Sequence, residues 1–124
     1  MPYEQLRLSW TFGDFTTSTT TFARHPWVTD RKYDVREIGI TVDRAIAASL
    51  TDYKGWTFKA GSTTLGTFVT KSTAMTAANL QTVTITAANR RVAAGTIVTV
   101  EQISVGNGQL VTGLSAYIEG DPVE

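Results

Sequence analysis

An all-β chain folded as an antiparallel two-sheet β-sandwich is what this sequence predicts, and three observations carry the prediction. Large apolar residues recur at every second position in segments running from Leu6 to Ile118, the spacing that lines one face of a strand. Threonine is the compositional outlier, at 22 of 124 residues, and β-branched side chains suit a pleated, half-exposed surface while being stiff in a helix. Turn signals separate the apolar segments at the intervals of an antiparallel sandwich, with no alternation of strands and helices. Runs of Thr, Ser and Gly also suit linkers, but here large apolar residues interrupt them at period two, so the ordered reading wins.

The elements follow in order. Leu6, Leu8, Trp10 and Phe12 alternate with Arg7, Ser9 and Thr11, a strand with one buried face that Gly13-Asp14 breaks. Phe15 to Phe22 is Thr/Ser-rich with its apolar content at the ends and reads as an exposed or edge strand. Arg24 to Lys32 holds a proline, mixed charges and Trp27, and reads as a loop. From Tyr33 the alternation resumes through Val35, Ile38, Ile40 and Val42, with a phase change between Val35 and Ile38 that predicts a bulge. Ala45 to Leu50 and Ala74 to Asn79 are the two places where a short helical turn is expected, neither long enough to stand on propensity alone.

Lys54 to Ala60 alternates again, Gly61-Ser62 supplies a turn, and Thr63 to Thr70 is the returning hairpin strand. Leu80 to Ala87 sets Val83 and Ile85 against Thr82, Thr84 and Thr86. After Asn89-Arg90-Arg91, the stretch Val92-Ala93-Ala94-Gly95-Thr96 is a Gly-centred turn running into a strand with Val98 and Val100 on one face. Ile103 and Val105 take the other phase, which predicts a twist or bulge near Glu101-Gln102. Gly106-Asn107-Gly108 reads as a hairpin turn, Leu114, Ala116 and Ile118 as the last strand, and residues 120–124 as a short polar tail. The sum is about eight strands, with at most one or two short helical turns, in one domain over residues 1–124. Residues 1–5 are expected as an N-terminal arm.

Charge and composition bound the partners. Eleven Lys+Arg balance eleven Asp+Glu, so no global field draws in nucleic acid or an anionic membrane. With no cysteine, disulfide staples and thiolate metal sites are excluded and the fold stands on packing. No apolar run reaches the ~18 residues of a membrane helix, and the first residues lack the basic and apolar regions of a signal peptide. Synthesis in the cytoplasm is expected.

Three stretches together carry a resemblance: residues 55–67 (Gly-Trp-Thr-Phe-Lys-Ala-Gly-Ser-Thr-Thr-Leu-Gly-Thr), residues 80–85, and Val92 to Glu101 with its Ala-Ala-Gly turn before alternating valines. In that order they resemble small jelly-roll proteins of tailed-phage virions, namely capsid decoration (cement) proteins and head-fibre modules. The resemblance covers roughly residues 6 to 119. It implies a sandwich of jelly-roll type, a homotrimer, no catalytic residue and no cofactor. It further implies a place on the outer capsid surface of the virion, cementing the shell of the major capsid protein. The longer loop from Gly106 to Gly113 and the extended Ala45 to Tyr53 segment depart from the pattern. The alternative it leaves open is a carbohydrate- or receptor-binding module of a head fibre or tail, taking host glycan.

Candidate sites are few. His25 has no second histidine, no cysteine and no serine in a nucleophile elbow, so neither a triad nor a zinc site assembles around it. Asp14, Asp30, Asp43, Glu101 and Glu119 supply carboxylates, but their spacing gives no reason for a glycosidase pair to converge. Asp30, Asp34 and Asp52 lack the clustering that wraps a calcium ion, so no metal is expected. Trp10 and Trp56 sit in phase with apolar neighbours and read as core. Trp27 follows a proline among Arg24, His25, Arg31 and Lys32. It is read as a plug over one end of the sandwich, as a protein-interface anchor or as a sugar-stacking platform. Arg90-Arg91 is too short a basic run for nucleic acid. The residues expected to bind a partner are Pro2, Tyr3, Arg24, His25, Trp27, Arg31 and Lys32.

Overall fold

The computed structural model describes residues 6–15, 22–107 and 109–123, and for residues 6–8, 10 and 22–27 the backbone alone. Among the described residues nine strands follow one another: β1 (Leu6–Phe15), β2 (Phe22–Val28), β3 (Tyr33–Thr41), β4 (Tyr53–Ala60), β5 (Thr63–Val69), β6 (Gln81–Val83), β7 (Arg91–Val92), β8 (Ile97–Val105) and β9 (Val111–Pro122). Among the described residues the only helical element is a single 3-10 turn at Ala87–Asn89.

Pairing is antiparallel throughout and divides the strands into two sheets. One runs β1-β9-β3-β6 with β7 also on β3, and the other runs β2-β8-β4-β5. β6 and β7 are two pieces of one sheet position, meeting β3 at Ile38–Ile40 and at Tyr33–Asp34. Counted so, the first strand pairs with the last, the second with the second-last, the third with β6/β7, and β4 with β5. That is a long antiparallel hairpin rolled onto itself, the jelly roll, and it gives the two-sheet sandwich of about eight strands that the sequence predicts.

The interior is apolar because the alternation points one way in each sheet. Ile38, Ile40, Leu114 and Ile118 from the first sheet face Trp56, Phe58, Leu65, Val98 and Val100 from the second, all at most 1% exposed. Each such side chain removed from water contributes about 1.5–3 kcal/mol. Trp56 stacks on Phe68 with centroids 6.4 Å apart, and its Nε1–H donates to Gln102 Oε1 at 2.8 Å.

Two irregularities follow from the pattern of apolar residues. The register of β3 on β9 shifts between Val35 and Glu37, the bulge expected from the phase change there. Leu65 and Phe68, three residues apart, both turn inward because β5 bulges against Phe58/Lys59.

Several local expectations are corrected. Phe22–Val28 is a strand rather than the start of a loop; Pro26 is tolerated because β2 is an edge strand whose register breaks between Arg24 and Trp27. β8 keeps unbroken register with β4 from Val98 to Val105. No bulge rotates Ile103 inward, so Gln102 is buried and Ile103 is 40% exposed. Ala45 to Leu50 forms no helical turn; Ile46 instead bridges Met75, and each donates its N–H to the other's carbonyl at 2.9 Å. Ala74 to Asn79 is part bridge and part turn, the Asn79 N–H closing back on Thr76 O at 3.3 Å with Ala78 at φ +57°. The turn at Gly106-Asn107 joins β8 to β9 across the two sheets and so is no hairpin. The tail is mostly strand, since Gly120, Asp121 and Pro122 pair with Val35, Asp34 and Tyr33. The interior of the expected second strand, residues 16–21, lies outside the described residues.

Candidate interaction surface

The jelly-roll winding brings one set of chain turns to a common end. The β2–β3 turn, the β4–β5 turn, the β7–β8 turn and the end of β9 all lie there, and β1 enters there at Leu6, opposite Gly120. Of the stretch from Arg24 to Lys32 that sequence reasoning favoured for partner contact, the part after Val28 lies at this end, and the part before it runs along β2.

Thr29 ties that end together. Its N–H donates to Thr96 O at 3.0 Å and its carbonyl accepts from Gly95 N–H at 2.7 Å. Its hydroxyl donates to Ala93 O at 2.7 Å and accepts from Thr96 N–H at 2.9 Å. Gly95 makes this turn at φ +76°, a backbone region that residues with a Cβ disfavour. On either side of this knot stand Val28 and Ile97, register partners at the tips of β2 and β8. They are 56% and 49% exposed, so the knot holds an apolar pair in solvent.

The charges around it are largely spent on one another. Arg91 grips Asp34 with Nε at 2.7 Å and Nη2 at 2.9 Å. Arg36 bridges Glu119 at 2.9 Å and Asp121 at 3.1 Å. Hydrogen bonding from Arg91, with Arg90 and Lys32 adding their fields, holds the Asp34 carboxyl below its usual range. The Glu119 carboxylate raises Arg36, and Asp34 raises Arg91. Arg31 is exposed and Lys32 half-buried in the β2–β3 turn, where Tyr33 OH donates to Asp30 Oδ1 at 2.8 Å and Val123 N–H donates to Lys32 O at 3.0 Å.

Of the residues expected to bind a partner, Arg31 and Lys32 sit at this end. Arg24 and Trp27 are backbone positions on β2 opposite Val100 and Val98, with His25 in the register break between them. Their side chains, and Pro2 and Tyr3, lie outside the described residues.

The carboxylates considered for catalysis or metal binding are mostly dispersed. Glu101 pairs with Lys59 at 2.8 Å, and Glu119 and Asp34 are held by arginines. Asp52 accepts from Asn107 N–H at 2.7 Å at the opposite end of the sandwich from Asp30. Asp14 and Asp43 do approach each other's neighbourhood, both flanking Gly113: Asp14 Oδ1 accepts the Gly113 N–H at 2.7 Å and the Asp43 carboxylate fills the space beside its Cα. Among the described residues no three His, Cys, Asp or Glu side chains gather as a metal site. Among the described residues an open depression of about 330 Å³ lies between Thr63, Asn89, Arg91 and Thr96 beside the Thr29 knot.

Sequence reasoning missed a polar group inside the far half of the sandwich. Lys54, in phase with Trp56 and Phe58, is fully buried and its Nζ donates to Ser104 Oγ at 3.1 Å. Burial lowers its pKa from the ordinary 10.5. The Thr70 hydroxyl accepts from Lys54 N–H at 3.0 Å and donates to Gln109 Oε1 at 2.6 Å, and Gln109 Nε2 donates to Ala47 O at 2.6 Å. These bonds fasten three loops of that end to the core. The signal was present in the strict alternation Lys54, Trp56, Phe58.

Comparison of the chain with protein-family models, with curated proteins and with solved structures returned no match.

Proposed function

We propose that this chain is a non-enzymatic structural protein of a tailed-phage virion, seated on the outer surface of the major capsid protein shell and cementing it. The resemblance of residues 55–67, 80–85 and 92–101 to decoration proteins supplies the virion context. The jelly-roll fold is the one that resemblance implies. The observation that carries the reading is the knotted end, where Thr29 and Gly95 hold Val28 and Ile97 out in solvent on a rigid frame. An exposed apolar pair fixed in position is suited to docking on another protein, because little conformational freedom remains to be lost on binding.

The mechanism is area and symmetry rather than chemistry. Each small sandwich contributes modest contacts, and repeated copies across the local symmetry axes of a shell spread the outward load of packaged DNA over many of them. Balanced charge fits this role, since neither DNA nor an anionic surface is to be gripped. The test uses purified capsids with and without the protein. The reading expects complete capsids to survive heating or chelation that ruptures stripped ones; equal resistance of the two preparations overturns it.

A further inference from the structure

A two-sheet sandwich has four edges, and soluble proteins blunt such edges to prevent strands of other molecules from adding to them. Three of the four are blunted here. β2 carries Pro26 and a break in register. β5 is capped by the chain leaving β6: Thr86 N–H donates to Leu65 O at 2.8 Å, Asn89 Nδ2 donates to Thr64 O at 3.0 Å, and the Thr84 carbonyl crowds Gly66. The β6/β7 edge is two strands of three and two residues, interrupted by the 3-10 turn.

The fourth edge is different. β1 is ten residues long, pairs with β9 on one side, and has no strand among the described residues on the other. Its bulges are confined to the end after Thr11, so Leu6 to Thr11 stays in unbroken register with Gly120 to Ser115. That stretch contains no proline and no lysine, and Arg7 is its one charge. Among the described residues none of the usual protective devices lies along it.

From this asymmetry we infer that the free edge of β1 is an interface with a second copy of the chain, the two β1 strands pairing antiparallel about a two-fold axis. The identity of the occupant follows from the count of open edges among the described residues. A head-to-tail contact needs two different open edges and propagates; one open edge can pair with its own copy, and that contact closes at two. Antiparallel self-pairing centred on Leu8 sets Leu6 against Trp10 and Leu8 against its copy, and pairing centred on Ser9 sets Leu8 against Trp10 and Leu6 against Phe12; in neither register does Arg7 meet Arg7, so parity and charge are both respected. The joined sheet runs β6-β3-β9-β1 and then the same order reversed in the partner. This inference does not depend on the virion reading, and it differs from the trimer that the resemblance implies.

The test is the mass of the purified protein in solution, with Ser9→Lys and Thr63→Lys beside it. Ser9 and Thr63 are exposed, one on the open edge and one on the capped edge. The wild type and Thr63→Lys are expected at twice the 13.5 kDa chain mass, and Ser9→Lys is expected to dissociate at concentrations at least tenfold higher. A wild type of one or three chains overturns the inference, as does a Ser9→Lys variant that stays as tightly paired as the wild type. Should Ser9→Lys fail to fold, Ser9→Cys decides, because the chain has no other thiol. With strands ~4.8 Å apart and an offset of at most two residues, the two thiols lie within ~9 Å. A short bismaleimide is expected to link them, and an unlinked product under those conditions overturns the pairing.

Discussion

Replacing Thr29 by Val removes one hydroxyl and leaves the side chain's size nearly unchanged, so it isolates the knot at the candidate surface. The hydroxyl accepts from Thr96 N–H at 2.9 Å and donates to Ala93 O at 2.7 Å, and Thr29 is 3% exposed. Ala93 O keeps a second donor, the Thr96 hydroxyl at 2.7 Å. The Thr96 amide loses its acceptor, and stranding such a donor costs ~1–3 kcal/mol. Taking ~2 kcal/mol, and an unfolding entropy typical of a chain this long, the melting temperature falls by ~6–8 °C. Denaturant titration is expected to show a lower midpoint at unchanged slope. Hydrogen exchange is expected to show the Thr96 amide losing more protection than the amides of β4. Thr29→Ser keeps the hydroxyl and is expected to retain the Thr96 protection. A Thr29→Val protein within 0.5 kcal/mol of wild type by the same titration refutes the reasoning.

Lys54 has a pKa lowered by burial, so the folded state binds fewer protons than the unfolded one between its folded value and 10.5. Its penalty is present at neutral pH and relieved as pH rises through that window. The stability advantage of Lys54→Met over wild type is therefore expected to shrink toward pH 10.5, which urea titrations at stepped pH check. Asp34 has the opposite sign: its lowered pKa makes a contribution that is full above 3.8 and lost as pH falls through the folded value. The difference between wild type and Asp34→Asn is expected to vanish in strong acid, by the same titrations. Gly113→Ala forces φ +64° on a residue with a Cβ and drives that Cβ into the Asp43 carboxylate. It is expected to cost at least ~1–2 kcal/mol in thermal unfolding.

The fold was readable where period two and burial coincide. Trp56, Phe58, Val98, Val100, Leu114 and Ile118 are all buried, and the Val35 to Ile38 phase change is a bulge in fact. Reading failed where a polar residue occupies an inward position. Gln102 is inside because it accepts the Trp56 indole N–H, so its polarity marks a hydrogen bond rather than a change of face. Pro26 was read as a loop because proline breaks ladders, yet at a sheet edge the missing N–H has no partner to lose. At the candidate surface, Arg31 and Lys32 were read as loop residues, and they stand in the β2–β3 turn, Arg31 exposed and Lys32 half-buried. The pairing of Val28 with Ile97 was not, because it joins positions far apart in the chain that only the rolled hairpin brings together.

The most direct measurement of the central claim is binding of the purified protein to capsid shells stripped of it, followed by sedimentation. Wild type is compared with Val28→Asp and Ile97→Asp, both exposed positions whose change leaves the core intact. The account predicts saturable binding of the wild type and a loss of at least tenfold in affinity for each folded variant. Variants that bind the shell as tightly as wild type, or a wild type that does not bind at all, contradict it.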